Sequence, residues 1–210
     1  FLNREMGDID YADFNGDGHL DLIIGKGSLS SFSSMYNIFE GNTDGSFQHF
    51  YNTYPYAMQA LCKFGDFSGD GVPDILYFVE NTFDLSSAYV AENVSGNFSG
   101  DGTTIFLDAL TTLKKIIVED LNSDGFDDII AMESFATNNP PSIHVFGNNP
   151  GLFEFEEIDF LDFPLIGIGD IVATDLNNDG LIELIMSGEK ANGALEFKLY
   201  RNMAGYNFTE

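Results

Sequence analysis

One nine-residue pattern occurs four times in this chain, beginning at Asp13, Asp66, Asp120 and Asp175, at intervals of 53, 54 and 55 residues. Positions 1, 3, 5 and 9 always carry an oxygen-bearing side chain, and position 6 is always glycine: Gly18, Gly71, Gly125 and Gly180. A second landmark follows each start by 27 to 29 residues: Asn42-Thr43-Asp44-Gly45, Asn93-Val94-Ser95-Gly96, Asn148-Asn149-Pro150-Gly151 and Asn202-Met203-Ala204-Gly205. Two markers that keep one period make the chain four copies of a single unit.

Each unit reads as strands. The nine-residue pattern is preceded by a short apolar stretch and followed by another, such as Leu22-Ile23-Ile24 or Leu184-Ile185-Met186. These runs are too short for helices and are bounded by glycine. A third run ends at the Asn-x-x-Gly turn and a fourth leaves it, as in the alternating Phe153-Glu154-Phe155-Glu156. Four antiparallel strands per unit of about 54 residues fit an all-β chain of β-propeller blades, because one twisted sheet buries both faces only when neighbours stack on it. The spacing predicts four tandem blades in a single domain or segment spanning 1–210, at about 1–53, 54–107, 108–162 and 163–210.

The nine-residue pattern has the chemistry of a calcium loop. Calcium takes six to eight oxygens, and Asp, Asn or Ser at alternate positions of a tight turn converge on one point. The candidate ligands are Asp13, Asn15, Asp17, His19 and Asp21; Asp66, Ser68, Asp70, Val72 and Asp74; Asp120, Asn122, Asp124, Phe126 and Asp128; and Asp175, Asn177, Asp179, Leu181 and Glu183. Position 7 varies freely in side chain (His19, Val72, Phe126, Leu181), so it is read as a backbone carbonyl ligand. An EF-hand needs a bidentate Glu at position 12, where this chain has Ile24, Tyr77, Ala131 and Met186. The loop is therefore expected as a hairpin connection between the first two strands of a blade. Position 2 (Phe14, Phe67, Leu121, Leu176) is apolar in every copy and is expected to plug the loop onto the core. Carboxylates at fixed offsets repel one another unless a cation offsets them, which favours up to four bound Ca2+ over a merely polar turn. Ser68 and Pro73 predict the weakest site in the second copy, and the longer arm of Glu183 alters the fourth.

Composition narrows the function. Thirty-four Asp and Glu against eight Lys and Arg give a formal charge of −26, which excludes nucleic acid and acidic membranes as partners. A hydrophobic fraction of 44% with 21 Phe and 9 Tyr excludes a disordered acidic chain. No apolar run is long enough for a membrane helix, so no membrane insertion is expected. The opening Phe1-Leu2-Asn3-Arg4 reads as a processed or excised piece. The single cysteine, Cys62, reads as a buried hydrophobe. His19, His49 and His144 have no ligand spacing, so zinc sites and His-centred triads are not expected. Glu133, Glu157 and Asp162 remain as acids without a legible partner, and the chain is expected not to be an enzyme.

Asp-x-Asn-x-Asp-Gly-x-x-Asp before an aliphatic strand, followed by Asn-x-x-Gly-x-Phe, resembles the FG-GAP/VCBS repeats of integrin-α-like β-propellers across essentially the whole chain. The resemblance implies calcium at positions 1, 3, 5, 7 and 9 of each loop. Family propellers usually have seven blades, so the four here form a four-bladed ring or belong to a larger propeller whose remaining blades come from the same or another chain. It also implies a secreted or cell-surface recognition and adhesion module for glycan or surface-protein ligands. The alternatives are a non-catalytic part of a carbohydrate-active enzyme, such as a lyase, or a structural part of a surface fibre or virion. Phe47, Phe50, Tyr51, Tyr54 and Tyr56 are a candidate sugar-stacking platform, with packing between blades as the competing reading.

Overall fold

The computed structural model describes residues 7–26, 35–53, 61–80, 86–98, 103–105, 113–133, 143–151, 153–158, 167–190 and 192–210. The chain divides into two compact units, Phe1–Thr111 with Asn149–Phe155, and Thr112–Asn148 with Glu156–Glu210. Among the described residues there is no helix, and the strands make four antiparallel four-stranded sheets and one small hairpin.

The first sheet is β1 (Gly7–Ala12), β2 (Asp21–Lys26), β3 (Met35–Gly41) and β4 (Phe47–Thr53), in chain order. The second unites β5 (Cys62–Gly65), β6 (Asp74–Glu80) and β7 (Ser86–Ala91). Its outer strand is not the segment that leaves the Asn93 turn. Ser95 and Gly96 both have positive φ, 54° and 80°, the backbone of a tight primed turn. That turn closes β8 (Asn93–Val94) on β9 (Asn97–Phe98) as a separate hairpin, and β10 (Thr103–Ile105) takes the outer place beside β7. The third sheet is β11 (Leu113–Glu119), β12 (Asp128–Glu133), β13 (Ile143–Asn149) and β14 (Glu154–Ile158). The fourth is β15 (Gly167–Thr174), β16 (Glu183–Glu189), β17 (Leu195–Asn202) and β18 (Phe208–Thr209).

Inside each unit, one sheet stacks on the next. In the first, Phe14, Ile23 and Ile38 meet Cys62, Phe64, Tyr77 and Ala91, with the Phe14 and Phe64 rings stacked at 6.3 Å. In the second, Leu121, Ile130 and Val145 meet Ile171, Leu184, Met186, Tyr200 and Phe208. Strands that begin at a loop and run through such a core are apolar on both faces, as Ile129 to Met132 are.

Polar groups fasten the same seams. β1 reverses the usual pattern, with Asp8 and Asp10 turned inward and Ile9 and Tyr11 exposed. The reason is the amide edge of β5: Asp10 accepts the Phe64 N–H at 2.9 Å, and Asp8 accepts the Cys62 N–H at 3.3 Å and the Lys63 ammonium at 3.1 Å. The second unit solves this seam with the charges exchanged. Lys115 donates to Asp170 and to the Ile171 carbonyl, both at 2.7 Å, and Lys114 donates to the Gly169 carbonyl at 2.6 Å.

A buried asparagine completes each seam. The Asn93 amide donates to the Phe14 carbonyl at 2.7 Å, and the Asn202 amide to the Leu121 carbonyl at 2.8 Å. In each case the acceptor is position 2 of the preceding loop. The first repeat breaks the series. Its turn is displaced by one residue, so that Gly41, not Asn42, donates its N–H to the position 9 carboxylate, as Asn93 and Asn148 do. A Cβ at Gly41 would stand 2.2 Å from the Leu20 carbonyl oxygen, so no asparagine fits there, and Asn42 lies exposed in the turn.

Two outcomes follow for measurement. Asn93→Ala leaves the Phe14 and Pro73 carbonyls, both of which accept from its amide, without that donor and is expected to cost about 1–3 kcal/mol, against less than about 0.5 kcal/mol for Asn42→Ala, in chemical denaturation. Burial is the largest influence on the Asp10 carboxyl and raises it above its ordinary value, against the lowering effects of the Phe64 N–H and the Lys63 charge. A raised folded-state pKa makes the Asp10 contribution full below about pH 4 and lost as pH rises, so Asp10→Asn, which keeps the acceptor, should melt higher than the parent at neutral pH. That advantage should vanish on acidification to about pH 4; an advantage that is constant with pH would contradict this origin.

Candidate metal loops

All four nine-residue segments form the connection between the first two strands of a sheet: β1 to β2, β5 to β6, β11 to β12 and β15 to β16. Each position 9 residue (Asp21, Asp74, Asp128, Glu183) is the first residue of the second strand and is buried. The loops curl through two left-handed residues. Position 6 glycine has φ between 82° and 89° in every copy, which explains its invariance within the chain. Position 4 is also left-handed, at Gly16 (74°), Gly69 (74°), Ser123 (62°) and Asn178 (59°). The sequence carried that signal as a run of Gly, Gly, Ser and Asn, residues that tolerate this backbone.

The side chains repeat one hydrogen-bond scheme. In the first loop Asp13 Oδ1 accepts the N–H groups of Gly16 and Asp17, and Oδ2 that of Gly18, at 2.8 to 3.1 Å. Asp17 Oδ1 accepts the His19 N–H at 2.9 Å. The pairs Asp66 to Gly71, Asp120 to Gly125 and Asp175 to Gly180 repeat the Asp13 to Gly18 contact, and Asp70 to Val72, Asp124 to Phe126 and Asp179 to Leu181 repeat that of Asp17 to His19. Position 3 is less regular: the Asn15 and Asn122 oxygens accept the position 5 N–H, whereas the Ser68 hydroxyl reaches Asp66 at 3.5 Å and the Asn177 amide reaches Glu183 at 3.3 Å.

The position 9 carboxylate ties the loop to the sheet. One oxygen accepts the position 2 N–H (Phe14, Phe67, Leu121, Leu176) at 2.9 to 3.1 Å. In three copies the other accepts a backbone N–H where the third strand ends: Gly41, Asn93 and Asn148, at 2.8 to 2.9 Å. In the third loop it also accepts the Tyr206 hydroxyl at 2.8 Å, which in turn accepts the Asn122 amide. Burial, above all, raises these carboxyls: Asp21 above its ordinary value, and Asp74 and Asp128 to about 6, with Asp17 and Asp13, Asp66 and Asp70, and Asp124 respectively adding to the rise.

Among the described residues no three His, Cys, Asp or Glu side chains stand close enough together to hold a metal ion. The cause is visible in the hydrogen bonds, where each loop carboxylate turns to its own backbone amides. The donor set still fits a hard cation. It is entirely oxygen, no lysine or arginine falls within any of the four loops, and oxygens that accept a single N–H, such as Asp13 Oδ2 and Asp17 Oδ1, keep a lone pair. Position 2 behaves as expected in three copies, with Phe14, Phe67 and Leu121 fully buried, but Leu176 is 47% exposed. Phe14 and Leu121 belong to cores shared with a following sheet, and Leu176 belongs to neither core.

Other candidates sort differently. Phe47 and Phe50 are exposed on β4, and the Phe50 ring lies 5.3 Å from Phe14, against the core edge of its own sheet. Tyr54, Tyr56 and Asp162, and the side chain of Tyr51, lie outside the described residues. Cys62 is buried, and burial pushes its thiol far up, out of the reactive range. His144 has partners that spacing did not reveal: Glu157 at 2.6 Å from Nδ1 and Glu133 at 3.4 Å from Nε2. The three lie on β12, β13 and β14, and only the register of adjacent strands brings residues so far apart in sequence together.

Comparison with curated protein sequences returns no match. The family model described as FG-GAP-like repeat matches residues 13–77 and 120–186, two segments that each begin on a position 1 aspartate and together span more than half of the chain. The chain belongs to the FG-GAP-like repeat family.

Proposed function

We propose that this chain is a run of calcium-braced β-propeller blades that acts outside the cell as a recognition or adhesion module for glycan or surface-protein ligands. The observation that carries the reading is the fourfold loop. Twelve carboxylates recur at fixed positions on left-handed turns whose shape the backbone amides already hold. Asp21, Asp74 and Asp128 at position 9 are buried at the start of a strand, and their carboxyls are raised first by burial and further by neighbouring aspartates, a strain that a divalent cation relieves. Positions 1, 3, 5 and 9 would supply side-chain oxygens, and His19, Val72, Phe126 and Leu181 their carbonyls.

Calcium in this reading is structural. Loops of extracellular modules bind with constants on the order of 10⁻⁴ to 10⁻³ M, which fill outside a cell and stay empty in a cytosol. The sheets then form a stiff support, and recognition falls to the exposed loops and turns at its rim. The loop carboxylates are committed to amides and metal, so they are a scaffold for binding and not an acid–base pair. The acidic surface persists even with four ions bound, at a formal charge of about −18, and selects against polyanionic ligands.

At about 10 mM calcium a site with a constant near 0.1 mM adds roughly 2.7 kcal/mol, so the melting temperature should rise by on the order of 5–10 °C relative to the chelated protein. Absence of both a thermal shift and a heat of binding would sink the calcium reading. Asp17→Asn keeps an acceptor for the His19 N–H but removes a charged ligand. Calorimetry should then count one ion fewer, while stability in chelator moves by less than about 1 kcal/mol. A glycan array run in calcium and in chelator tests the ligand class, with calcium-dependent retention and no turnover as the expected result.

A further inference from the structure

We propose that the outward face of the first sheet is a binding platform for an uncharged saccharide, with the Tyr11, Phe39 and Phe47 rings and the His49 imidazole as its contacts. This rests on the glycan reading above and gives it a site and a ligand class. Ile23 and Ile38 belong to the core shared with the second sheet, so strand alternation turns their neighbours to the other side. Cross-strand register sets Tyr11, Leu22, Phe39 and His49 in one row across all four strands. Tyr11 is 64% exposed, and the His49 ring meets the Phe39 ring edge-on at 5.4 Å. A bulge in β4 builds this arrangement: the pairing steps from Ile38 with Tyr51 to Phe39 with His49 and skips Phe50. Phe50 turns to Phe14 on the core side, while the half-exposed Phe47 stays beside His49 on the outward side.

Three features select the occupant. The first repeat lacks the group with which a repeat takes hold of the sheet before it. Asn93 and Asn202 give their amides to the position 2 carbonyl of the preceding sheet, and Asn148 holds the equivalent place in the third. In the first repeat that place is Gly41, where a Cβ would stand 2.2 Å from the Leu20 carbonyl oxygen. The outward face thus carries no such fastening for a preceding sheet. Charge is the second feature: no Asp or Glu occupies an outward position in the paired rows of the four strands, in a chain with 34 acids. The net charge of −26 repels an anionic ligand at long range, and an acid-free face receives a neutral one without desolvating a carboxylate. The third is the mixture of rings and polar tips. A sugar ring has a C–H face that packs on an aromatic ring and a rim of hydroxyls that seek hydrogen bonds. The Tyr11 hydroxyl and the exposed His49 imidazole supply such partners, and the Asn37 amide stands in the next row.

The probe is an array of neutral and acidic oligosaccharides, read in calcium with the full 210-residue chain and its variants. Retention is expected on neutral members. Tyr11→Ala and His49→Ala should each lower it at least about ten-fold, and Tyr11→Phe, which keeps the ring, by less than about three-fold. Both side chains are exposed, so the melting temperature of these variants should stay at that of the parent. Leu195→Ala, on the exposed face of the fourth sheet, should leave retention unchanged. Neutral-glycan retention that survives both Tyr11→Ala and His49→Ala would overturn the platform and leave the glycan reading standing. Retention of acidic members alone would overturn the uncharged ligand class. Silence across the array with the fold intact would overturn the platform and the glycan reading together. A doubled solution mass that Tyr11→Ala abolishes would assign the face to a second copy of the chain and would also overturn the proposal.

Discussion

The buried carboxylate at position 9 is the contact on which each repeat depends. Asp21, Asp74 and Asp128 each join three pieces of chain: the loop, through the position 2 N–H; the second strand, which they begin; and the end of the third strand, through a backbone N–H about twenty residues later. A carboxylate suits this place because it accepts on two oxygens in different directions, and charge-assisted bonds to N–H groups are stronger than neutral ones. Its burial costs desolvation, seen in the raised Asp74 and Asp128 carboxyls, and no lysine or arginine lies within the loop to offset it. Stability and uncompensated charge thus originate in one group. Glu183 shows the limit of substitution, since its longer arm reaches the Leu176 N–H and the Asn177 amide within its own loop.

Much of this was legible because the period is rigid and the chemistry at each offset is narrow. Two-residue alternation and short apolar runs gave strands, and the fixed glycine at position 6 gave the left-handed turn that follows from its φ. What escaped the sequence depended on partners distant along the chain. Asn42 fits the turn pattern by spelling, yet the register of β3 puts Gly41 in the structural place of Asn93. Leu176 matches Phe14 and Leu121 in type, yet it is 47% exposed where they are buried in cores shared between two sheets, a difference that residue type does not carry. The His144 contacts needed strand order and register, and the inward Asp8 and Asp10 needed the amide edge of β5. A pattern in one strand states which faces differ, not which partner each face will meet.

The scarcity of basic residues explains why the two kinds of acid in this protein are handled differently. Of eight lysines and arginines, Lys63, Lys114 and Lys115 lie at the seams between sheets, where Lys63 and Lys115 pair with Asp8 and Asp170. The Lys63 pair is largely shielded, so its attraction is less screened than that of a surface pair, and it fixes the register of one sheet on the next. None of the eight lies within a loop. The loop carboxylates are held by backbone amides, which orient them but carry only partial charge, so the repulsion between positions 1, 5 and 9 is reduced without being removed. A side-chain cation in the loop would have neutralised that repulsion permanently and closed the site. In the calcium reading proposed above, the rigidity of each repeat would follow the ion concentration around it. Seams built on lysine and loops left without it thereby divide the acids of the structure into those that carry their own counter-charge and those that rest on backbone amides alone.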